Sequence, residues 1–162
     1  MVTMSGIGIC LWFDDEGEEA ARYYTAIFKN SKITSVVPYG DAFPGKAGET
    51  MLVEFELNGQ RITALNGGKM DWSFNEAISL MIDCEDQAEV DHYWNALTAD
   101  GGQEGPCGWL KDKYGVSWQI TPKRYYELAD PADPARADRV NKALESMKKI
   151  DLATLERAAA AG

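Results

Sequence analysis

Few side chains in this sequence are equipped for covalent or metal chemistry. His92 is the single histidine, and it falls between Asp91 and Tyr93 in a helical stretch, where a solvated surface is the expectation. The three cysteines, Cys10, Cys84 and Cys107, are odd in number and form no CxxC, so neither a disulfide framework nor a zinc site is indicated. Cys107 lies between Pro106 and Gly108 and is the cysteine expected to be most exposed, but no histidine neighbours it in sequence to activate the thiol. Lys111-Asp112-Lys113 reads as a solvated turn.

These residues are carried by a repeated arrangement. The stretch from Cys107 to Pro122 reads CGWLKDKYGVSWQITP and parses as a hairpin. Trp109 and Leu110 open one strand, residues 112–115 turn the chain, and Gly115 supplies the positive φ. Val116, Trp118 and Ile120 then share one face, while Ser117, Gln119 and Thr121 share the other. Residues 51–66 echo this as MLVEFELNGQRITALN, with a turn at Asn58-Gly59. Aligning Gly59 with Gly115 aligns Thr63 with Gln119, an offset of 56. Asp15-Glu16 and Glu85-Asp86, each at the start of a helix, are offset by 70, so a loop present only in the first half accounts for the difference.

Taken in order, a strand at residues 7–13 leads to a helix at 18–28 with an acidic start, which suits the helix dipole. A strand at 32–39, a Gly-rich loop at 40–49 and the first hairpin complete one β-α-β-β-β module. A turn-rich connection, residues 66–75, follows. The second module begins with an apolar strand at 76–83. Its helix carries Val90, Tyr93, Trp94 and Leu97 at i, i+3, i+4 and i+7, and Gly101-Gly102 ends it. Residues 123–162 are helical in pattern. Val140, Leu144 and Met147 form a narrow apolar stripe that needs a cover, either the chain's own domain or a second copy, and Asp151 is an N-cap candidate.

Composition narrows the partners. The formal net charge is −10, which argues against nucleic acid. Residues 1–122 hold 8 basic and 19 acidic side chains, whereas 123–162 are close to neutral. No apolar run approaches the roughly 20 residues that span a bilayer. No signal-peptide pattern stands near Met1, and with reduced cysteines a cytoplasmic setting is expected.

Two tandem β-α-β-β-β modules resemble the vicinal oxygen chelate superfamily, which includes glyoxalase I, bleomycin resistance proteins and extradiol dioxygenases. The segments WFDDEGEEAARYYTAIF, EFELNGQRITALNGG, FNEAISLMIDCE and CGWLKDKYGVSWQITP are similar to the PhnB-like branch, often labelled 3-demethylubiquinone-9 3-methyltransferase-like. The tail ending MKKIDLATLE is also similar to tails of that branch. The resemblance implies an α+β fold with a concave mixed sheet. The paired modules would occupy residues 1–122 (about 7–66 and 76–122), followed by a helical tail at 123–162. It also implies a homodimer.

In metal-dependent relatives, ligands come from the first and last strands of each module, as His and Glu or Asp. The corresponding positions here are Ile9 or Ile7, Thr63, Ala77 or Ser79, and Gln119, none of them a normal ligand for such a metal. Glu76 is the one nearby carboxylate. No metal is therefore expected at the usual place, and no cofactor is implied. Methyl transfer is disfavoured as well, because the one Gly-x-Gly, Gly6-Ile7-Gly8, leads into no helix. What remains is a cavity for a small organic molecule, lined by Trp12, Thr63, Asn66, Trp72, Phe74, Asn75, Glu76, Trp109, Lys111 and Gln119. Two rivals stand beside this reading. One is a lyase, isomerase or dioxygenase holding a metal through Glu76 and Gln119; the other is a structural role with the cavity filled by side chains.

Overall fold

The computed structural model describes residues 6–162, so the first five residues of the paired-module region expected at 1–122 lie outside the described residues. The chain forms two compact units, the first ending at Trp72 and the second running from Ser73 to Gly162.

The first unit runs β1 (Ile9–Phe13), α1 (Gly17–Ile27), β2 (Ser31–Pro38), β3 (Thr50–Leu57) and β4 (Gln60–Asn66). Its sheet order is β1-β4-β3-β2, with β1 parallel to β4 and the other pairs antiparallel. Helix α1 turns Ala20, Ala21 and Tyr24 inward, each wholly buried, and Tyr24 stacks on Phe55 of β3. The β3–β4 turn uses Asn58 (φ 49°) and Gly59 (φ 84°), both left-handed, as a two-residue primed turn requires.

The second unit repeats this plan. It runs β5 (Leu80–Cys84), α2 (Gln87–Thr98), β6 (Gln103–Glu104), β7 (Trp109–Lys111) and β8 (Ser117–Pro122). The order β5-β8-β7-β6 is the same, again with the first and last strands parallel. The chain is thus α+β with two tandem β-α-β-β-β modules. Asp86 caps α2 by accepting the Glu89 N–H at 2.9 Å. Val90, Tyr93, Trp94 and Leu97 are all buried, as their spacing predicts.

Two elements differ from the reading of the sequence. The strand expected from residue 76 begins at Leu80. Ala77, Ile78 and Ser79 lie in a turn because the Asn75 carboxamide oxygen captures the Ala77 N–H at 2.8 Å, a local bond that competes with strand pairing. Asp112, expected to be solvated, is 2% exposed. Its Oδ1 accepts the N–H groups of Tyr114 (2.9 Å) and Val116 (3.1 Å), and its Oδ2 accepts the Trp118 indole N–H (2.9 Å). Three converging donors make burial of this carboxylate affordable.

The tail forms α3 (Lys123–Leu128), α4 (Pro134–Glu145) and α5 (Leu152–Ala160), with Asp151 capping α5 through the Thr154 N–H at 2.7 Å. Leu128, Val140, Ile150 and Leu155 make its own buried cluster, with Leu144 and Met147 packed against it. The apolar stripe is therefore covered within the second unit. No helix among the described residues is long and apolar enough to cross a membrane.

Candidate functional site

In each sheet one face packs on the helix and the other faces away. On β7 the alternation buries Leu110 and leaves Trp109 and Lys111 on the far face. On β8, Gln119 pairs with Trp109 and Ser117 pairs with Lys111, so all four share that face. Strand β6 reaches only as far as pairing with Leu110 and Lys111. Beyond it the chain leaves the sheet through Gly105, Pro106 and Cys107, and a cleft of about 430 Å³ opens there.

Trp109 gives the cleft an apolar floor, with Lys111, Glu76, Gln103 and Ser117 around it. Lys111 and Glu76 form an ion pair, and the Lys111 ammonium, hydrogen-bonded to the Glu76 carboxylate, holds that carboxyl below its usual 4.5. Glu104 faces the helix side of β6 and accepts the Trp94 indole N–H at 2.8 Å. Cys107 lines the opposite wall at φ 57°. Cys84 is buried, and burial pushes its thiol up to about 12, which removes it as a nucleophile near neutral pH.

Of the ten residues expected to line a cavity, the structure gathers Glu76, Trp109 and Lys111 in this cleft. Gln119 sits one strand away and donates from Nε2 to Ser79 Oγ at 2.9 Å. Phe74 lies beside the Gly115 turn, and Asn75 holds the turn before β5. Trp12, Thr63, Asn66 and Trp72 belong to the first unit. There Trp12 donates to the Gly68 carbonyl at 2.9 Å and meets Trp72 edge-on, with ring centroids 5.2 Å apart. Asn66 is buried, and its Oδ1 accepts the Gly17 N–H at 2.7 Å while its Nδ2 donates to the Thr50 carbonyl at 3.0 Å. That carboxamide serves the N-terminus of α1. The walls formed by Gln103, Gly105 and Pro106 escaped the sequence reading, since a Gly/Pro connection looks alike whether it borders a cleft or water.

The metal of the metal-dependent relatives can be tested on these donors. Thr63 pairs with Cys10 and Glu54, and Gln119 pairs with Met81 and Trp109. Strand alternation puts Ile9 on the helix face with Ile62, so Cys10 takes the far-face place. Glu76 is committed to Lys111 and Gln119 to Ser79. No group of three or more His, Cys, Asp or Glu able to hold a metal ion occurs among the described residues. The donor set does not fit the divalent metal. His92 is exposed on α2 with its ring 4.9 Å from that of Tyr93.

A family described as 3-demethylubiquinone-9 3-methyltransferase matches residues 5–121. A PhnB protein from Bacillus cereus, provisionally described as a 3-demethylubiquinone-9 3-methyltransferase, is 34% identical with a TM-score of 0.65, over 73% of this chain and 99% of its own. Protein PA1353 from Pseudomonas aeruginosa is 19% identical with a TM-score of 0.61, over 74% of this chain and 98% of its own. The fosfomycin resistance protein FosX from Listeria monocytogenes is 17% identical with a TM-score of 0.49, over 74% of this chain and 94% of its own. No curated protein matches.

Proposed function

The chain belongs to the 3-demethylubiquinone-9 3-methyltransferase-like, or PhnB-like, family of the vicinal oxygen chelate superfamily, and on that premise we propose that it binds a small organic molecule in the second-module cleft without the superfamily's metal. The observation that carries this reading is the cleft itself. It combines a tryptophan face, a few polar groups and a volume of about 430 Å³, within the range of small-molecule sites. Trp109 supplies a flat surface against which a planar ligand stacks, worth about 0.5–1.5 kcal/mol beyond its buried area. Lys111 and Glu76 supply the polar end. Glu76 is exposed and Lys111 half-buried, and such surface pairs stabilise little, so a ligand group can take the place of either partner.

The metal-dependent and methyl-transfer readings draw less support. A metal-dependent lyase, isomerase or dioxygenase needs a donor set that Glu76 and Gln119 do not make. For methyl transfer, β1 passes into α1 through Asp14, Asp15 and Glu16, not through the glycine-rich turn that usually holds a methyl donor such as S-adenosylmethionine. Homodimerisation is part of the proposal, and a sedimentation mass equal to one chain would rule it out.

A titration of the full chain with a panel of small planar aromatic acids, amines and neutral analogues tests the reading through tryptophan fluorescence. A saturable change that disappears in Trp109→Phe is expected. A panel-wide absence of saturation, or a response unaltered by that substitution, would sink it.

A further inference from the structure

The family match ends at residue 121, ahead of the tail, yet the tail reaches the cleft wall. The Cys107 N–H donates to the Met147 carbonyl and the Gly108 N–H to the Lys148 carbonyl, each at 2.8 Å. The Gly108 carbonyl in turn accepts the Ile120 N–H at 2.8 Å, so this glycine ties tail, wall and β8 together. Its φ of 82° favours glycine, and an added Cβ would come within 2.8 Å of both the Ile120 carbonyl oxygen and the Ile150 side chain.

The same tail segment is clasped from α2. Gln87 Oε1 accepts the Leu152 N–H at 2.8 Å, and its Nε2 donates to the Ile150 carbonyl at 3.0 Å. Lys149 pairs with Asp91 at 2.9 Å, and Lys148 stands 3.9 Å from Glu104. Ile150 is 1% exposed and anchors the segment in the tail's buried cluster. A side-chain amide that satisfies two backbone groups on either side of one residue fixes where that residue sits.

We propose that residues 147–152 act as a strap that positions the cleft wall at 104–108, with Gln87 as the positioning residue, so that the tail sets the size of molecule the cleft admits. This rests on the reading of the cleft as a ligand site. By linkage, a ligand that prefers the strapped wall tightens the strap by the same factor.

The test needs no ligand. Full-length wild type and Gln87→Met are compared by amide hydrogen exchange and by alkylation of Cys107 with iodoacetamide and with a bulky fluorescein iodoacetamide, each rate divided by that of exposed Cys10. Loss of both clasp bonds is expected to speed exchange at the Cys107 and Gly108 amides by about tenfold, and to leave the Asn58 amide of the first unit unchanged. The preference of Cys107 for the small reagent is expected to fall toward that of Cys10. Faster exchange with unchanged size preference would mean that the strap is docked but does not shape the cleft, and would overturn the proposal; so would unchanged exchange. Should Gln87→Met fail to fold, Lys149→Ala, which removes only the pair with Asp91, is expected to shift both readings the same way by about twofold. No shift there would be equally fatal. If the fluorescence titration fails while these readings hold, the ligand assignment falls and the strap stands.

Discussion

The two modules share one topology and differ in what lies across the exposed face of the sheet. In the first, one cross-strand row reads Cys10, Thr63, Glu54, Ser35. In the second, the matching row begins Met81, Gln119, Trp109. The fourth place falls to Gly105, just past the 2-residue β6, whose N–H donates to the Trp109 carbonyl at 2.8 Å but which brings no side chain; β2, with 8 residues, puts Ser35 there. A glycine at the strand's end leaves the neighbouring Trp109 face uncovered by any side chain, and the cleft lies there. The next row makes the same point. Arg61, Glu56 and Lys32 alternate charge across the first sheet, whereas Ser117, Lys111 and Gln103 cross the second, leaving Lys111 to find its counter-ion in Glu76. One scaffold thus yields a long edge strand in one half and, beside a short one, a cleft of about 430 Å³ in the other.

The sharpest way to break this comparison is at the turns. The first module closes its hairpin with two residues, the second with a five-residue loop that depends on Asp112. Replacing Asp112 with alanine strands the Val116 and Tyr114 N–H groups and the Trp118 indole, and is expected to cost about 3 kcal/mol in urea unfolding. A cost near zero would show that the long loop holds itself. In the first module, Asn66→Ala removes the acceptor for the Gly17 N–H and the donor to Thr50. A loss of about 2 kcal/mol is expected from calorimetry, with tryptophan fluorescence of the cleft unaffected. Gly59→Ala places a Cβ at φ 84°, in open space, so only backbone strain opposes it, and about 1 kcal/mol is expected.

The smallest effect is electrostatic. Lys111 holds the Glu76 carboxyl below 4.5, so whatever the pair contributes is present above the unfolded-state value and is lost as pH falls through the lower folded one. Carboxyl NMR is expected to show Glu76 titrating below 4.5 and returning upward in Lys111→Met. An unaltered titration would separate the pair and sharpen the contrast with Glu56, which has Arg61 and Lys32 opposite it on neighbouring strands.

Much of this was legible in the residues, and the rest was hidden for physical reasons. Periodicity and turn chemistry gave both hairpins, the buried stripe of α2 and the Asp151 cap, because each depends on neighbours within a few positions. The offset between Gly59 and Gly115 exposed the repeat. The start of β5 was misplaced since AISLMID is apolar throughout, and only the Asn75 side chain decides that Ala77 turns. Asp112 was misjudged because charged runs are solvated unless donors converge on them, and the Trp118 indole arrives from another strand. Asn66 looked like a turn former or a pocket wall, while its partners lie 49 and 16 residues away. The strap was invisible for the same reason, since Gln87 meets residues 63 and 65 positions later.

The most direct test is a native mass spectrum of the untagged full chain, purified without chelators, beside its Trp109→Ala variant. An organic adduct is expected on the wild type, none on the variant, and no stoichiometric divalent metal on either. A stoichiometric metal, or an adduct retained in full by Trp109→Ala, would contradict metal-free binding in the cleft.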